Sequence, residues 1–253
     1  MFPVRDLNPT RVFPFVTWTI IALNVVVWVF AWSLGPQGID VFVSLLGLVP
    51  RRLIALDLST PAGLWTLATP LTSMFMHGGW MHLLGNVWFL HVFGDNVEEH
   101  LGHARYVVFY VLAGLCAALT HVVLSPFGTL PLVGASGAIA GVLGAYMLRF
   151  PRAPILAWFV IGVVEVPAFV FLFVWFGYQL LMTWGSLGSM EQGGVAFAAH
   201  AGGFVAGLAL ERLLAPTREA LIRERAERRH RLAESRARRV QEHRERRRWL
   251  DPD

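Results

Sequence analysis

Six long apolar segments set the strongest constraint on how this 253-residue chain can fold. They cover residues 15–32, 80–96, 106–124, 132–150, 166–184 and 195–214. Each is close to the ~20 residues that a helix needs to cross a bilayer. Charged residues make up 15% of the sequence, whereas soluble domains contain roughly 25%. We therefore predict an all-α polytopic membrane protein, built as a bundle of six transmembrane helices.

The arginines indicate the orientation of this bundle. All 21 basic residues are arginine, and most of them lie in 218–253. If the N-terminus is cytoplasmic, only Arg51 and Arg52 fall on the far side of the membrane. Cytoplasmic loops normally carry the excess of positive charge. We expect a multi-pass protein of the cell inner or plasma membrane, with its N- and C-termini in the cytoplasm.

The segments divide the chain into a cytoplasmic N-terminus at 1–14, a membrane domain at 15–215 and a cytoplasmic tail at 216–253. Within the membrane domain, the long outer loop 33–79 should contain short structure of its own. The tail is rich in Arg and Glu and should form a basic helix that can contact anionic lipid headgroups. A nucleic-acid partner is not expected, because acidic residues are interleaved throughout the tail and aromatic residues are nearly absent.

A further apolar run lies at 155–164, between the fourth and fifth segments. Glu165 and Pro167 separate it from the fifth segment. We expect this run to lie at the cytoplasmic interface of the membrane.

Polar residues inside three segments are the main functional clue, since a polar group in a bilayer is costly unless it is partnered. His82 and Asn86 lie in the second segment, Ser136 near the start of the fourth and His200 near the start of the sixth. These segments run in the same direction, from outside to inside. Their polar groups should therefore share one layer beneath the outer surface.

These residue types favour nucleophilic catalysis. A serine hydroxyl is a poor nucleophile until a neighbouring base accepts its proton, and His200 is the candidate base for Ser136. His82 and Asn86 can donate hydrogen bonds to the oxyanion of a tetrahedral intermediate. The Ser136 backbone N–H, at a helix N-terminus, can do the same. His77 and His91 are interpreted as structural or interfacial.

Glycines offer a way for the fourth and sixth segments to touch closely enough for a Ser136–His200 hydrogen bond. The glycines concerned are Gly137, Gly141, Gly203 and Gly207. Each of these patterns of glycine, serine and histidine, taken alone, is most simply explained by helix packing. Because they coincide at matched depth and direction, they favour a catalytic site.

With these motifs the sequence resembles the rhomboid family of intramembrane serine proteases. The family's HxxxN pattern is met by His82 and Asn86, and its GxSG pattern by Gly134, Ser136 and Gly137. Its histidine followed by spaced glycines is met by His200, Gly203 and Gly207.

The resemblance implies an intramembrane serine endopeptidase that cleaves transmembrane proteins in or near their membrane segment. It implies a Ser136–His200 dyad without a third acid. His82, Asn86 and the Ser136 amide would form the oxyanion hole, and no metal or other cofactor would be needed. The fifth segment, with the 185–194 loop, would be the substrate gate.

Two positions depart from the pattern of many relatives. Trp65 is followed by Thr66 where a Trp-Arg pair is common, and Ala140 stands four residues after the serine, where some members have an aromatic residue. These departures concern the packing of the outer loop and the support of His200, not the dyad itself.

Three other functions fit the sequence less well than a protease does. A catalytically silent rhomboid-like protein that binds transmembrane clients would normally lack the serine or the histidine. A metal-dependent protease would need an HExxH helix, which the sequence lacks. A transporter would spread its polar residues through the depth of the bilayer.

Overall fold

The computed structural model describes residues 2–159, 162–186 and 194–217. The chain divides into two units, Met1–Leu214 and Ala215–Asp253. The predicted tail helix lies outside the described residues. The description below concerns the first unit.

Helices make up most of this unit. The long ones are α1 (Phe15–Ser33), α5 (Trp80–Leu101), α6 (His103–Leu124), α7 (Ser136–Arg149), α8 (Ala168–Ser186) and α9 (Gly194–Leu214). The outer loop folds into α2 (Gly35–Leu46), α3 (Pro50–Ile54) and α4 (Pro61–Thr72), followed by a 3₁₀ turn at Ser73–Phe75. Prolines occupy the first turn of all three short helices, where a missing N–H costs nothing.

Four of the described helices are long and apolar enough to cross a membrane. The spans are Phe15–Ser33, His103–Leu124, Ala168–Gly185 and Phe197–Leu214. The count of six crossings stays a prediction. Helix α5 is long enough, but it contains buried polar residues such as Asn86, Asn96 and Glu98.

Helix α7 falls short of a full crossing because it has only 14 residues. Residues 132–135, predicted as part of the same segment, precede the helix, and Leu132 forms an isolated bridge with Leu48. Every residue from Ala138 to Tyr146 is buried. A helix buried on all sides is surrounded by protein, so its length need not match the bilayer.

The expectation of an all-α fold is wrong in one part of the chain. An antiparallel sheet of order β1–β2–β3 contains β1 (Phe2–Asp6), β2 (Pro154–Phe159) and β3 (Gly162–Pro167). Its second strand and the first half of its third come from the apolar run at 155–164, which was predicted only to lie at the interface, and β3 continues to Pro167. This run is rich in β-branched and aromatic residues, and in β2 buried Ile155 and Ala157 alternate with less buried neighbours. That alternation is typical of a strand with one covered face.

Glu98 joins α5 to the beginning of α1. Its buried carboxylate accepts hydrogen bonds from the backbone N–H groups of Val16 (2.8 Å) and Thr17 (2.7 Å). It also accepts one from the Thr17 hydroxyl at 2.7 Å, and His103 Nδ1 lies 2.5 Å away. The first N–H groups of a helix have no partner within the helix. Glu98 therefore provides the cap that α1 lacks in its own sequence.

We expect Glu98→Gln to lower the free energy of unfolding by about 2 kcal/mol, because charge-assisted bonds to buried backbone donors become neutral ones. Thermal unfolding in detergent, followed by circular dichroism, measures the loss. Glu99→Gln is the matched control, since Glu99 accepts one exposed bond from the Arg11 backbone N–H. Equal destabilisation by the two variants would contradict the capping role of Glu98.

Asp6 anchors the N-terminal strand to the helices. Its Oδ2 accepts hydrogen bonds from the Tyr146 hydroxyl of α7 and from Asn96 Nδ2 of α5, both at 2.7 Å. Burial raises the pKa of Asp6 to about 6, although hydrogen bonds from the Asn8 backbone N–H and Tyr146 lower it. The folded state therefore favours the protonated carboxyl. This contribution to stability is complete below the unfolded pKa of ~3.9 and is lost as the pH rises through about 6.

We expect hydrogen–deuterium exchange in β1, corrected for the intrinsic pH effect, to be slower at pH 5 than at pH 7.5. Asp6→Asn should remove this difference, because the amide does not titrate. Asp95 and Arg5 are the other charges that act on Asp6. A pH difference that persists in Asp6→Asn would assign the titration to another group such as Asp95, and the prediction would be wrong.

Candidate active site

Ser136 and His200 meet across two helices. Ser136 is the first residue of α7, and His200 lies in the second turn of α9. The distance between Ser136 Oγ and His200 Nε2 is 2.7 Å, which is a short hydrogen bond. The hydroxyl donates to the ring nitrogen when the ring proton is on Nδ1.

Glycines allow this approach by bringing the α7 and α9 backbones into contact. A Cβ on Gly203 would lie 2.1 Å from the Gly137 carbonyl oxygen, and a Cβ on Gly207 would lie 2.0 Å from that of Gly141. Gly144, one turn further along α7, has the same relation to the Phe204 carbonyl oxygen at 2.2 Å. Only a hydrogen atom fits at such positions, so these glycines fix the separation of the two helices.

We expect Gly207→Ala to separate α7 from α9 and to cost about 1–3 kcal/mol of stability through overpacking. Thermal unfolding in detergent measures this loss. Gly177→Ala in α8 is the matched control, because nothing lies within 4 Å of its added Cβ. Removing a flexible glycine from a helix interior should leave stability unchanged or slightly higher. A Gly207→Ala variant as stable as this control would show that the close contact is not needed.

Gly134 places His82 beside the serine. Its φ of +123° favours glycine, and its backbone N–H donates to the Ser73 carbonyl oxygen at 2.9 Å. A Cβ on Gly134 would lie 2.7 Å from His82 Nε2 and 3.4 Å from Ser136 Oγ. The His82 ring and the serine hydroxyl therefore border the same small space. A donor in this position can reach an oxygen that forms next to Ser136.

Asn86 is buried, and its Nδ2 lies 2.9 Å from Nε2 of His77. His77 is also buried, and its ring packs edge-on against His82 with a centroid distance of 5.2 Å. From the sequence alone, His77 is expected only to be structural or interfacial. Little in the sequence indicates a role at the site, because His77 precedes α5 and does not share a helical face with His82 and Asn86. The structure makes it the neighbour of both predicted oxyanion donors.

Gln179 is a second residue of the candidate site that was not predicted from the sequence, and it lies beside His200. This α8 residue is buried, and its Oε1 lies 2.9 Å from His200 Nδ1. Trp175, one turn earlier on α8, has its ring 6.3 Å from the imidazole at an interplanar angle of 33°. The sequence feature that could have pointed to Gln179 is its position as a lone amide inside an apolar segment, since such groups need a partner in the membrane.

Comparison with known proteins identifies the family of this chain. A model of the Rhomboid domain matches residues 61–217, and the chain therefore belongs to the rhomboid family. It is a membrane protein with apolar helices typical of that family.

Several curated relatives are similar to parts of the chain. The putative rhomboid protease YdcA of Bacillus subtilis is 32% identical over 138 residues, which cover 54% of this chain and 63% of the relative. The rhomboid protease GluP of the same organism is 39% identical over 83 residues, 33% of this chain and 15% of the relative. The inactive rhomboid protein 1 of Drosophila melanogaster is 33% identical over 90 residues, 36% and 6% respectively. The matched regions thus span less than two thirds of these relatives.

Proposed function

We propose that this protein is an intramembrane serine endopeptidase with a Ser136–His200 dyad. The observation that carries the proposal is the 2.7 Å distance between Ser136 Oγ and His200 Nε2. Soluble serine hydrolases activate their nucleophile through the same pairing of hydroxyl and imidazole. Two relatives are named as rhomboid proteases, which supports peptide-bond hydrolysis as the reaction.

The reaction begins when Ser136 Oγ bonds to the scissile carbonyl carbon and its proton moves to His200 Nε2. The carbonyl oxygen becomes an oxyanion. His200 then gives the proton to the leaving amine as the C–N bond breaks, and an acyl-enzyme remains on Ser136. A water molecule attacks this ester while His200 accepts its proton. Return of that proton to Ser136 Oγ releases the carboxylic acid and restores the hydroxyl.

His82, Asn86 and the Ser136 backbone N–H would stabilise the oxyanion. His82 is supported by its place beside Gly134 and Ser136. The amide nitrogen of Asn86 carries two hydrogens, so its bond to His77 leaves one to donate. His77 would then orient Asn86. Ser136 begins α7, where backbone N–H groups are unpaired and the helix dipole favours negative charge.

The substrate would be a transmembrane protein that reaches the site from the lipid. In this proposal α5 and α7 complete a six-helix membrane domain at 15–215, and α8 is the side through which substrate enters. The dyad would lie beneath the extracytoplasmic surface of the cell membrane, with both termini cytoplasmic. The basic tail at 216–253 would contact anionic headgroups.

Ser136→Ala and His200→Ala should each reduce cleavage of a model transmembrane substrate by at least about 10³-fold, because the nucleophile or its base is lost. The measurement is product formation in proteoliposomes, with the cut site identified by mass spectrometry. Ser44→Ala is the matched control, since Ser44 is half-buried on α2, outside the candidate site, and its hydroxyl donates to the Val41 carbonyl oxygen.

Cleavage that persists in Ser136→Ala would overturn the mechanism. A wild-type protein that binds the model segment without cutting it would instead favour a catalytically silent, client-binding role. A fluorophosphonate that labels the wild type and Ser44→Ala, but not Ser136→Ala, would support the assignment of the nucleophile.

A further inference from the structure

The imidazole of His200 is held at both nitrogens. Nε2 faces Ser136, and Nδ1 lies 2.9 Å from Oε1 of Gln179. Gln179 has only 5% of its surface exposed, so water competes little for its amide. The two partners of His200 come from different helices, Ser136 from α7 and Gln179 from α8.

We propose that Gln179 is the positioning residue of the site, a neutral amide that holds His200 in the tautomer required by the base. This inference rests on the proposed function. When His200 Nδ1–H donates to Gln179 Oε1, the Nε2 lone pair is free to accept the Ser136 proton. The opposite tautomer would direct an N–H at Ser136 and would block proton transfer.

An amide suits this place better than a carboxylate does. Soluble serine proteases use a buried aspartate to orient the histidine. Inside a membrane domain an ionised carboxylate costs considerably more than a neutral amide. A glutamine oxygen still fixes the ring orientation and the tautomer, without adding a charge. The dyad thus has a third group, although that group is not an acid.

Helix α8 also provides the aromatic contact that α7 does not. Ala140, four residues after Ser136, is fully buried and presents only a methyl group. Trp175 lies one turn before Gln179 on the same helix face, and its ring contacts the imidazole at 6.3 Å between centroids. Both supports of His200 thus belong to α8. Phe176 of α8 stacks on Phe204 of α9, with ring centroids 4.5 Å apart and an interplanar angle of 19°, and this contact holds α8 against α9.

Substitution of Gln179 separates positioning from simple packing. Gln179→Met keeps the length of the side chain but removes the acceptor, whereas Gln179→Glu restores an acceptor oxygen. We expect Gln179→Met to reduce kcat and the rate of fluorophosphonate labelling of Ser136 by about 10²-fold, with KM unchanged. Gln179→Glu should recover part of both rates. Leu181→Met, on the exposed side of α8, is the matched control.

The tautomer of His200 provides a readout that does not depend on catalysis. Nitrogen-15 NMR of histidine-labelled protein, with His200 assigned from its absence in His200→Ala, should show a protonated Nδ1 and an unprotonated Nε2 in the wild type. In Gln179→Met the two nitrogens should shift toward a mixture of tautomers. A purely structural glutamine would alter the melting temperature and leave these resonances and the labelling rate unchanged.

The outcomes of the two proposals are distinguishable. Cleavage that survives Ser136→Ala overturns the proposed Ser136–His200 mechanism, while the NMR result still decides whether Gln179 sets the tautomer. If Ser136→Ala is inactive but Gln179→Met labels at the wild-type rate with an unchanged His200 spectrum, only the positioning role is overturned.

Discussion

The direct contact between the α7 and α9 backbones is the constraint on which the site depends. At Gly203 and Gly207 the carbonyl oxygens of the facing helix lie where a side chain would begin. Between lipid-embedded helices no hydrophobic effect drives association, so close packing of small residues carries much of the attraction. Because Ser136 and His200 sit at one end of this contact, their separation is set by two rigid backbones. Long flexible side chains play little part in it.

Buried polar groups then fix the other elements around this pair. Glu98 of α5 caps α1, Asp6 of β1 binds Tyr146 of α7, and Gln179 of α8 binds His200 of α9. The first two bonds join elements that are distant in sequence, and the third joins the consecutive helices α8 and α9. In an apolar interior no water is present to replace a lost hydrogen-bond partner, so an unpaired polar group costs considerable free energy. These bonds therefore specify how the elements pack against one another. Apolar packing alone would allow several relative positions.

Much of the site could be predicted from the sequence because its signals are local and periodic. The lengths of the apolar segments, their alternating direction and the spacing of the glycines together place Ser136 near His200. The pairing of β1 could not be predicted this way, since its partners lie about 150 positions later along the chain, and such pairing leaves no periodic signal. Gln179 was missed for a related reason. A single amide in an apolar helix shows that a partner is needed, but not which helix provides it.

If substrate enters at α8, as proposed above, the packing of α8 against α9 determines when His200 is supported. Gln179 and Trp175 support His200 only while α8 packs against α9. A displacement of α8 large enough to admit a transmembrane segment would lengthen the bond between Gln179 Oε1 and His200 Nδ1 and release the ring. The base would then be correctly oriented only after α8 had closed on the bound segment. Under this arrangement the opened site would be poorly activated toward water or lipid esters, and a substrate that lets α8 return would be cut in preference to one that holds it away.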